Sequence, residues 1–310
     1  MWGNFGASLA FNVSPRARIL ALVSLASAAA VAVALGVTLL QSDDPAGEPL
    51  PEGDPPIVLD LGARDDAETR DLARALRLYD DGDKRGAAEI FSRYRSLNAR
   101  VGLALASWPE GSLDRLDQLA AEEPSSGIVR LNLGFALFWS GRREEAIAAW
   151  RQTRRIAPDS LAAVRAGDLL YPQFARGLPV FVPGDVEGEA GSRLLAGVRL
   201  QRLGKQLSAR REFDAAVRLA PGEPEPLVAA AVARFDKANP SAAFSRLGPL
   251  ARRFPRAPTV RFHLGLLLLW TGQLDEAKSQ LARARSADPD DPLAREADRF
   301  LSRLENIENG

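Results

Sequence analysis

The sequence predicts an all-α protein, an α-solenoid of repeated helix pairs preceded by one transmembrane helix and a linker rich in proline and acidic residues. Three observations lead to this fold class. Pro221, Pro255 and Pro289 close sequence units of equal length, 34 residues apart. Residues 19–40 contain no charged side chain, and residues 41–67 combine proline and glycine with carboxylates. A helix pair cannot bury both of its apolar faces alone, so repeated pairs are expected to stack into one continuous core.

The clearest unit is Arg261–Pro289. Apolar residues and one small residue recur at helical spacing on a first helix, and a glycine falls where a tight turn needs a permissive backbone. A second helix with its own buried stripe follows, and a proline ends it. These residues are Leu264, Gly265, Leu268, Gly272, Ala277, Leu281, Ala284 and Pro289.

Upstream copies repeat this unit with the same offsets. One copy has Ala196, Gly197, Leu200, Gly204, Ala209, Phe213, Ala216 and Pro221, and another has Leu133, Gly134, Leu137, Gly141, Ala146, Trp150 and Pro158. The pattern resembles the tetratricopeptide repeat family, whose period and Leu-Gly…Ala…Phe…Pro signature it reproduces. This resemblance implies the solenoid fold, but the fold alone assigns no particular task.

The composition argues against an enzyme and against metal or cofactor binding. The chain has no cysteine and one histidine, His263, for which we expect a structural role. It contains no phosphate-binding glycine loop, paired histidine ligands or serine nucleophile motif. The formal net charge is zero, so no overall field draws the chain to nucleic acid. We therefore predict a non-enzymatic protein that has no cofactor or metal ion. We also predict that it binds neither nucleic acid nor a small-molecule substrate.

The N-terminal region predicts a membrane anchor. An uncharged helix over 19–40 would span about 30 Å, the thickness of a bilayer core. Arg16 and Arg18 precede it and carboxylates follow it, which places a short segment, residues 1–18, in the cytoplasm and the repeats outside it. The alternative is a cleaved signal peptide, since Ala32 and Ala34 fit a small-residue cleavage site. Both alternatives export the repeats.

The remaining boundaries follow from composition and period. Residues 41–67 predict a flexible spacer, within which residues 57–59 form an apolar patch able to dock on the first repeat. Residues 68–310 predict the solenoid, closed by a capping helix over 292–306. The period breaks at residues 171–191, where prolines and glycines predict an irregular insertion that carries aromatic and branched side chains.

The resemblance also implies a binding groove. In the tetratricopeptide family the first helices of successive repeats line a concave face that contacts peptides. The matching positions here are Leu131, Phe135, Phe138, Trp139, Leu194, Val198, Val228, Val232, Phe235, Phe262, Leu266, Leu269 and Trp270. Trp139 and Trp270, just ahead of their turns, are expected to be partly exposed. The lysine and asparagine set that clamps a terminal carboxylate in chaperone-binding members is missing.

These features together predict a membrane-anchored scaffold that binds a segment of a protein partner in an apolar groove, and this partner can itself be membrane-associated. The alternative is a self-occupied solenoid, in which residues 178–183 or 57–59 fill the groove and the convex face mediates oligomeric envelope assembly.

Overall fold

The computed structural model describes residues 50–62 and 64–309, which form fourteen α-helices and no β-strand. The predicted transmembrane helix at 19–40 lies outside these ranges. No helix within them has the length and apolar character needed to cross a bilayer. The helices are α1 (Ala67–Asp80), α2 (Lys84–Phe91), α3 (Leu97–Ala106), α4 (Ser112–Glu122), α5 (Gly127–Trp139), α6 (Arg143–Ile156), α7 (Leu161–Leu170), α8 (Gly188–Arg202), α9 (Gln206–Leu219), α10 (Pro224–Val232), α11 (Ser241–Arg253), α12 (Pro258–Trp270), α13 (Leu274–Ala287) and α14 (Pro292–Asn309).

The helices pack in consecutive pairs, as expected for a solenoid. The pairs are α1–α2, α3–α4, α5–α6, α8–α9, α10–α11 and α12–α13, and α14 covers the last pair. We call the leading member of each pair a first helix. The unpaired helix α7 packs on α5 and α6, and the chain after it does not return as a helix until Gly188.

The signature glycine of each regular repeat is required by close packing of the two helices in a pair. A Cβ added to Gly134 of α5 would lie 2.2 Å from Nε1 of Trp150 on α6. A Cβ added to Gly197 of α8 would lie 2.3 Å from Phe213 of α9. Because non-bonded carbon atoms rest near 3.5–4.0 Å, only glycine lets the large ring of the second helix reach the first helix.

The turns and helix starts also follow the sequence pattern. Gly204 and Gly272 have φ values of +74° and +75°, a conformation that glycine adopts at little cost. Helices α10, α12 and α14 each begin at a proline, whose missing N–H is not needed in a first helical turn.

Two hydrophobic cores divide the described chain between α7 and α8, and polar contacts join them. Asp159 Oδ1 accepts the N–H groups of Leu207 and Ser208, at 2.8 and 3.1 Å, at the N-terminus of α9. Arg154 of α6 forms a 2.7 Å ion pair with Asp236, which follows α10. Directional polar contacts therefore help to fix the geometry of the junction.

Replacement of Gly134 by alanine should destabilise the fold, because the added Cβ would overlap the Trp150 ring. We expect a loss of about 2 kcal/mol in the free energy of unfolding, measured by urea denaturation. Gly222→Ala is the matched control, since nothing lies within 4 Å of the added Cβ. Its effect should stay within about 0.5 kcal/mol. Equal effects of the two substitutions would contradict the packing role of the signature glycine.

Candidate functional site

Two non-helical segments lie against the first helices. We call residues 54–61 the N-terminal strap and residues 171–187 the central strap. The N-terminal strap falls inside the region predicted as a flexible linker, yet Leu59 in it is buried. The central strap falls inside the predicted insertion at 171–191, and Phe181 in it is fully buried. A buried extended backbone needs hydrogen-bond partners, which here come from side chains of the helices.

Two asparagines hold the backbone of the N-terminal strap. Asn132 of α5 accepts the Val58 N–H at 3.0 Å and donates to the Val58 C=O at 2.7 Å. Asn98 of α3 likewise accepts the Asp60 N–H at 3.1 Å and donates to the Asp60 C=O at 2.8 Å. A carboxamide offers one acceptor and one donor group, so each asparagine satisfies both backbone groups of one strap residue.

A third contact fixes the start of the N-terminal strap. The hydroxyl of Tyr79 on α1 donates to the Pro55 C=O at 2.8 Å. Burial raises the pKa of Tyr79, and the charges of Asp54 and Asp80 raise it further, so the phenol keeps its donor proton. Asp54 also forms a 3.0 Å ion pair with Lys84.

The central strap is centred on the Phe181 ring. This ring stacks on the imidazole of His263 with centroids 4.7 Å apart and meets the Phe213 ring edge-on at 5.9 Å. The side chain of Gln201 on α8 accepts the Phe181 N–H at 2.9 Å and donates to the Pro179 C=O at 3.4 Å. A carboxamide therefore pairs with both kinds of backbone group in this strap as well.

Two titratable side chains accept the next backbone N–H groups of the central strap. His263 Nε2 on α12 accepts the Val182 N–H at 3.0 Å, while Nδ1 lies 2.7 Å from the Thr259 C=O. These partners assign the neutral tautomer with the proton on Nδ1. Glu225 of α10 accepts the Gly184 N–H at 3.3 Å.

A buried ion pair anchors the start of the central strap. Lys237 donates to Asp168 at 2.5 Å and to the Ala175 C=O at 2.6 Å, and Asp168 also accepts the Gly177 N–H at 2.8 Å. Burial lowers the pKa of Lys237, and the Asp168 carboxylate opposes this change. The pair links α7, the strap and the turn after α10.

The structure places all thirteen predicted groove residues in the interior. The group comprises Leu131, Phe135, Phe138, Trp139, Leu194, Val198, Val228, Val232, Phe235, Phe262, Leu266, Leu269 and Trp270. Trp139 is 7% exposed and Trp270 is fully buried, unlike the partial exposure that the sequence suggested. The central strap accounts for part of this burial, since Phe174 packs edge-on against Phe235 with centroids 6.4 Å apart. The assignment of the thirteen residues to partner binding stays a prediction.

Sequence reasoning missed the polar residues that hold the straps. They are Tyr79, Asn98, Asn132, Gln201, Glu225 and the hydrogen-bonding role of His263. A signal for two of them exists in the sequence, because Asn132 and His263 each stand two positions before a signature glycine on an otherwise apolar helix. Buried polar groups in such places usually have a hydrogen-bond partner.

Glu225 and His263 give the central strap opposite responses to pH. Burial raises the pKa of Glu225 from 4.5 to about 7; the Gly184 N–H and the Thr259 hydroxyl oppose the rise, while the Asp291 and Asp185 charges add to it. Stability due to Glu225 therefore falls as pH increases from about 4.5 to about 7. Burial lowers the pKa of His263 from 6.5 to about 4, so stability due to His263 falls as pH decreases across that interval.

Replacement of Asn132 by leucine should loosen the N-terminal strap, because the Val58 N–H and C=O would lose both partners. We expect a loss of about 2 kcal/mol in unfolding free energy and faster hydrogen exchange at the Val58 amide. Asn239→Leu, at an exposed position, is the control and should leave Val58 protected. Unchanged protection of Val58 in Asn132→Leu would contradict the clamp.

Glu225→Gln removes the ionisable group but keeps an oxygen that can accept the Gly184 N–H. We expect the unfolding free energy of the variant minus that of the wild type to increase by about 3 kcal/mol from pH 4.5 to pH 8, since one pKa unit corresponds to about 1.4 kcal/mol. Urea unfolding at both pH values measures this difference. Glu223→Gln, exposed and two residues away, is the matched control for the change of residue type. A flat difference for Glu225→Gln would mean that the folded chain does not raise the pKa of this carboxyl.

Family models identify tetratricopeptide repeats in two parts of the chain. Two models of the tetratricopeptide repeat match the chain, one over residues 129–160 and the other over residues 234–298. No curated relative matches it. Among solved structures, a tetratricopeptide repeat protein from Parabacteroides merdae is 13% identical, with 77% of this chain and 98% of that chain covered and a TM-score of 0.30. Yeast Tom70 is 12% identical, with 83% and 67% covered and a TM-score of 0.30. The chain therefore carries tetratricopeptide repeats in residues 129–160 and 234–298, which confirms the repeat type predicted from the sequence.

Proposed function

We propose that this protein is a scaffold whose first helices bind an extended segment of a partner protein. The observation that carries this proposal is the pairing of both backbone groups of Val58 and Asp60 by Asn132 and Asn98. Such contacts recognise an extended backbone through its own N–H and C=O groups. The same side chains would pair the backbone of a segment from another protein as well as they pair the strap.

The proposed role needs no catalytic group, in keeping with the composition. His263, the one histidine, is buried and engaged with the central strap and Thr259. Across residues 50–62 and 64–309, no group of three or more histidine, cysteine or acidic side chains is placed to hold a metal ion. We therefore propose binding of a protein partner, without cofactor or small-molecule substrate.

The proposal includes attachment to a membrane through residues 19–40, with residues 1–18 in the cytoplasm and the repeats on the other side. The uncharged run and the preceding Arg16 and Arg18 support this arrangement. A cleaved signal peptide is the alternative, and it would export the repeats without an anchor. Tethering would raise the effective concentration of the repeats toward partners in the same membrane.

A second candidate function is self-occupied assembly, in which the straps fill the first-helix face permanently. The burial of Leu59 and Phe181 favours it, because both straps already cover apolar helix surface. Under this alternative the second helices on the convex side would mediate contacts between subunits or with other envelope proteins.

Photo-crosslinking from position 98 separates the two functions. Asn98 is partly exposed and lines a cavity of about 220 Å³ beside Asp60, so a photoreactive residue there would report on a segment bound at the N-terminal strap. We expect a crosslink to another protein in the native membrane. The control position is Arg115, exposed on the second helix α4. Groove binding would be overturned in favour of self-occupied assembly by two results together. Position 98 would crosslink only to residues 54–61, and position 115 would crosslink to another protein.

A further inference from the structure

The two straps are bound in equivalent ways by two sets of three successive first helices. The N-terminal strap contacts α1, α3 and α5, and the central strap contacts α8, α10 and α12. The contacting side chains occupy the same places in the corresponding helices. This correspondence holds although the residues themselves differ, so it reflects the arrangement of the helices more than a repeated sequence.

The first matching contact lies at the C-terminal end of the leading helix. Tyr79 is the residue before the last of α1, and Gln201 is the residue before the last of α8. Each donates a hydrogen bond to the C=O of a proline, Pro55 in one strap and Pro179 in the other. The first matching contact is therefore made to the same residue type in both straps.

The second matching contact lies at the start of the middle helix. Asn98 is the second residue of α3, and Glu225 is the second residue of α10. They accept the backbone N–H groups of Asp60 and Gly184 respectively. Each of these strap residues stands five positions after the proline.

The third matching contact lies in the middle of the last helix of each set. Asn132 and His263 are the sixth residues of α5 and α12. They accept the N–H groups of Val58 and Val182, and each valine stands three positions after the proline. The register of the two straps is therefore identical over three contacts, from the proline to the fifth residue beyond it.

The straps share residue types over part of this register, although the burial of matching side chains differs, since Ile57 is partly buried and Phe181 is fully buried. Residues 55–60 read Pro-Pro-Ile-Val-Leu-Asp, and residues 179–184 read Pro-Val-Phe-Val-Pro-Gly. Both have an apolar residue just before the valine, and both straps join the hydrophobic core of their half. The shared pattern is proline, any residue, apolar residue, valine. The central site encloses the larger apolar side chain, since Phe181 is fully buried.

We propose that the chain has two equivalent peptide sites, and that the partner segment follows this proline–X–apolar–valine pattern in an extended conformation and binds by replacing a strap. This inference rests on the function proposed above and names the chemistry of the partner. Proline fixes its own φ at a value that an extended segment can adopt, which lowers the entropy lost on binding. The three hydrogen bonds to the backbone then set the register, and the apolar residue supplies buried area.

Exchange of an excised strap tests this proposal in the full chain. Protease sites placed beside the exposed Gln173 and Glu187 would let the protein fold first and lose the covalent strap afterwards. We expect a fluorescent peptide of residues 174–187 to exchange into the cut protein. An unlabelled peptide of residues 53–61 should compete for the same site within about tenfold of the affinity of the central-strap peptide.

Backbone N-methylation supplies matched controls. Methylation at Val182 removes the N–H that His263 accepts, and it should lower the affinity of the peptide for the cut protein by about tenfold. Methylation at Asp185, an exposed residue of the same peptide, should change affinity by less than about threefold. Equal losses at the two positions, no exchange, or no competition by residues 53–61 at a hundredfold excess would each overturn the proposal.

If the chain cut at both sites loses its fold, a single cut beside Glu187 provides the test, because the strap then stays attached at its other end. Addition of the 53–61 peptide should then accelerate hydrogen exchange at the Val182 and Gly184 amides of the attached strap, and unchanged exchange would count against the proposal. The result of the peptide-exchange experiment can be distinguished from the result of crosslinking at position 98. Crosslinks to a partner without peptide exchange would leave the scaffold function standing and remove only the sequence pattern.

Discussion

The arrangement of the first helices is constrained by the need to pair a buried backbone that is not helical. A helix satisfies its own N–H and C=O groups, but an extended strap on an apolar surface leaves these groups without water or internal partners. Each unpaired group would cost about 1–3 kcal/mol. Polar side chains such as Asn132, Gln201 and His263 therefore have to stand on otherwise apolar helix faces, and they must face the strap at fixed positions.

The tight helix pairs make these fixed positions possible. Glycine at 134 and 197 lets Trp150 and Phe213 pack directly on the first helices, so each of these two first helices lies close to its second helix. The second residues of α3 and α10 and the sixth residues of α5 and α12 occupy matching places in the two sets of first helices. The Asn98 and Glu225 contacts are equivalent in position, although one side chain is a carboxamide and the other a carboxyl group, and although α10 contains no glycine.

Local signals predicted the helix pairs well, because glycine, proline and apolar periodicity act within one repeat. The signature glycine at 134 and the proline at 258 each mark a feature that neighbouring residues determine. The strap contacts could not be predicted in that way. Val58 and Asn132 are 74 residues apart, and Val182 and His263 are 81 residues apart, so no local pattern connects them. Trp270 was expected to be partly exposed for the same reason, since its position near a turn does not reveal the central strap that covers this face.

A strap that belongs to the chain competes with any partner at a high effective concentration. Short flexible connections give effective concentrations in the millimolar range. The apparent affinity of a free partner is then the intrinsic affinity multiplied by the fraction of chains whose strap has left the site. A partner segment must therefore bind much more tightly than the strap or be concentrated near it. A membrane anchor at 19–40 would meet the second condition for partners in the same membrane, because both proteins would then share a restricted volume. The strap would meanwhile keep the apolar first-helix surface covered, which limits non-specific association while no partner is bound.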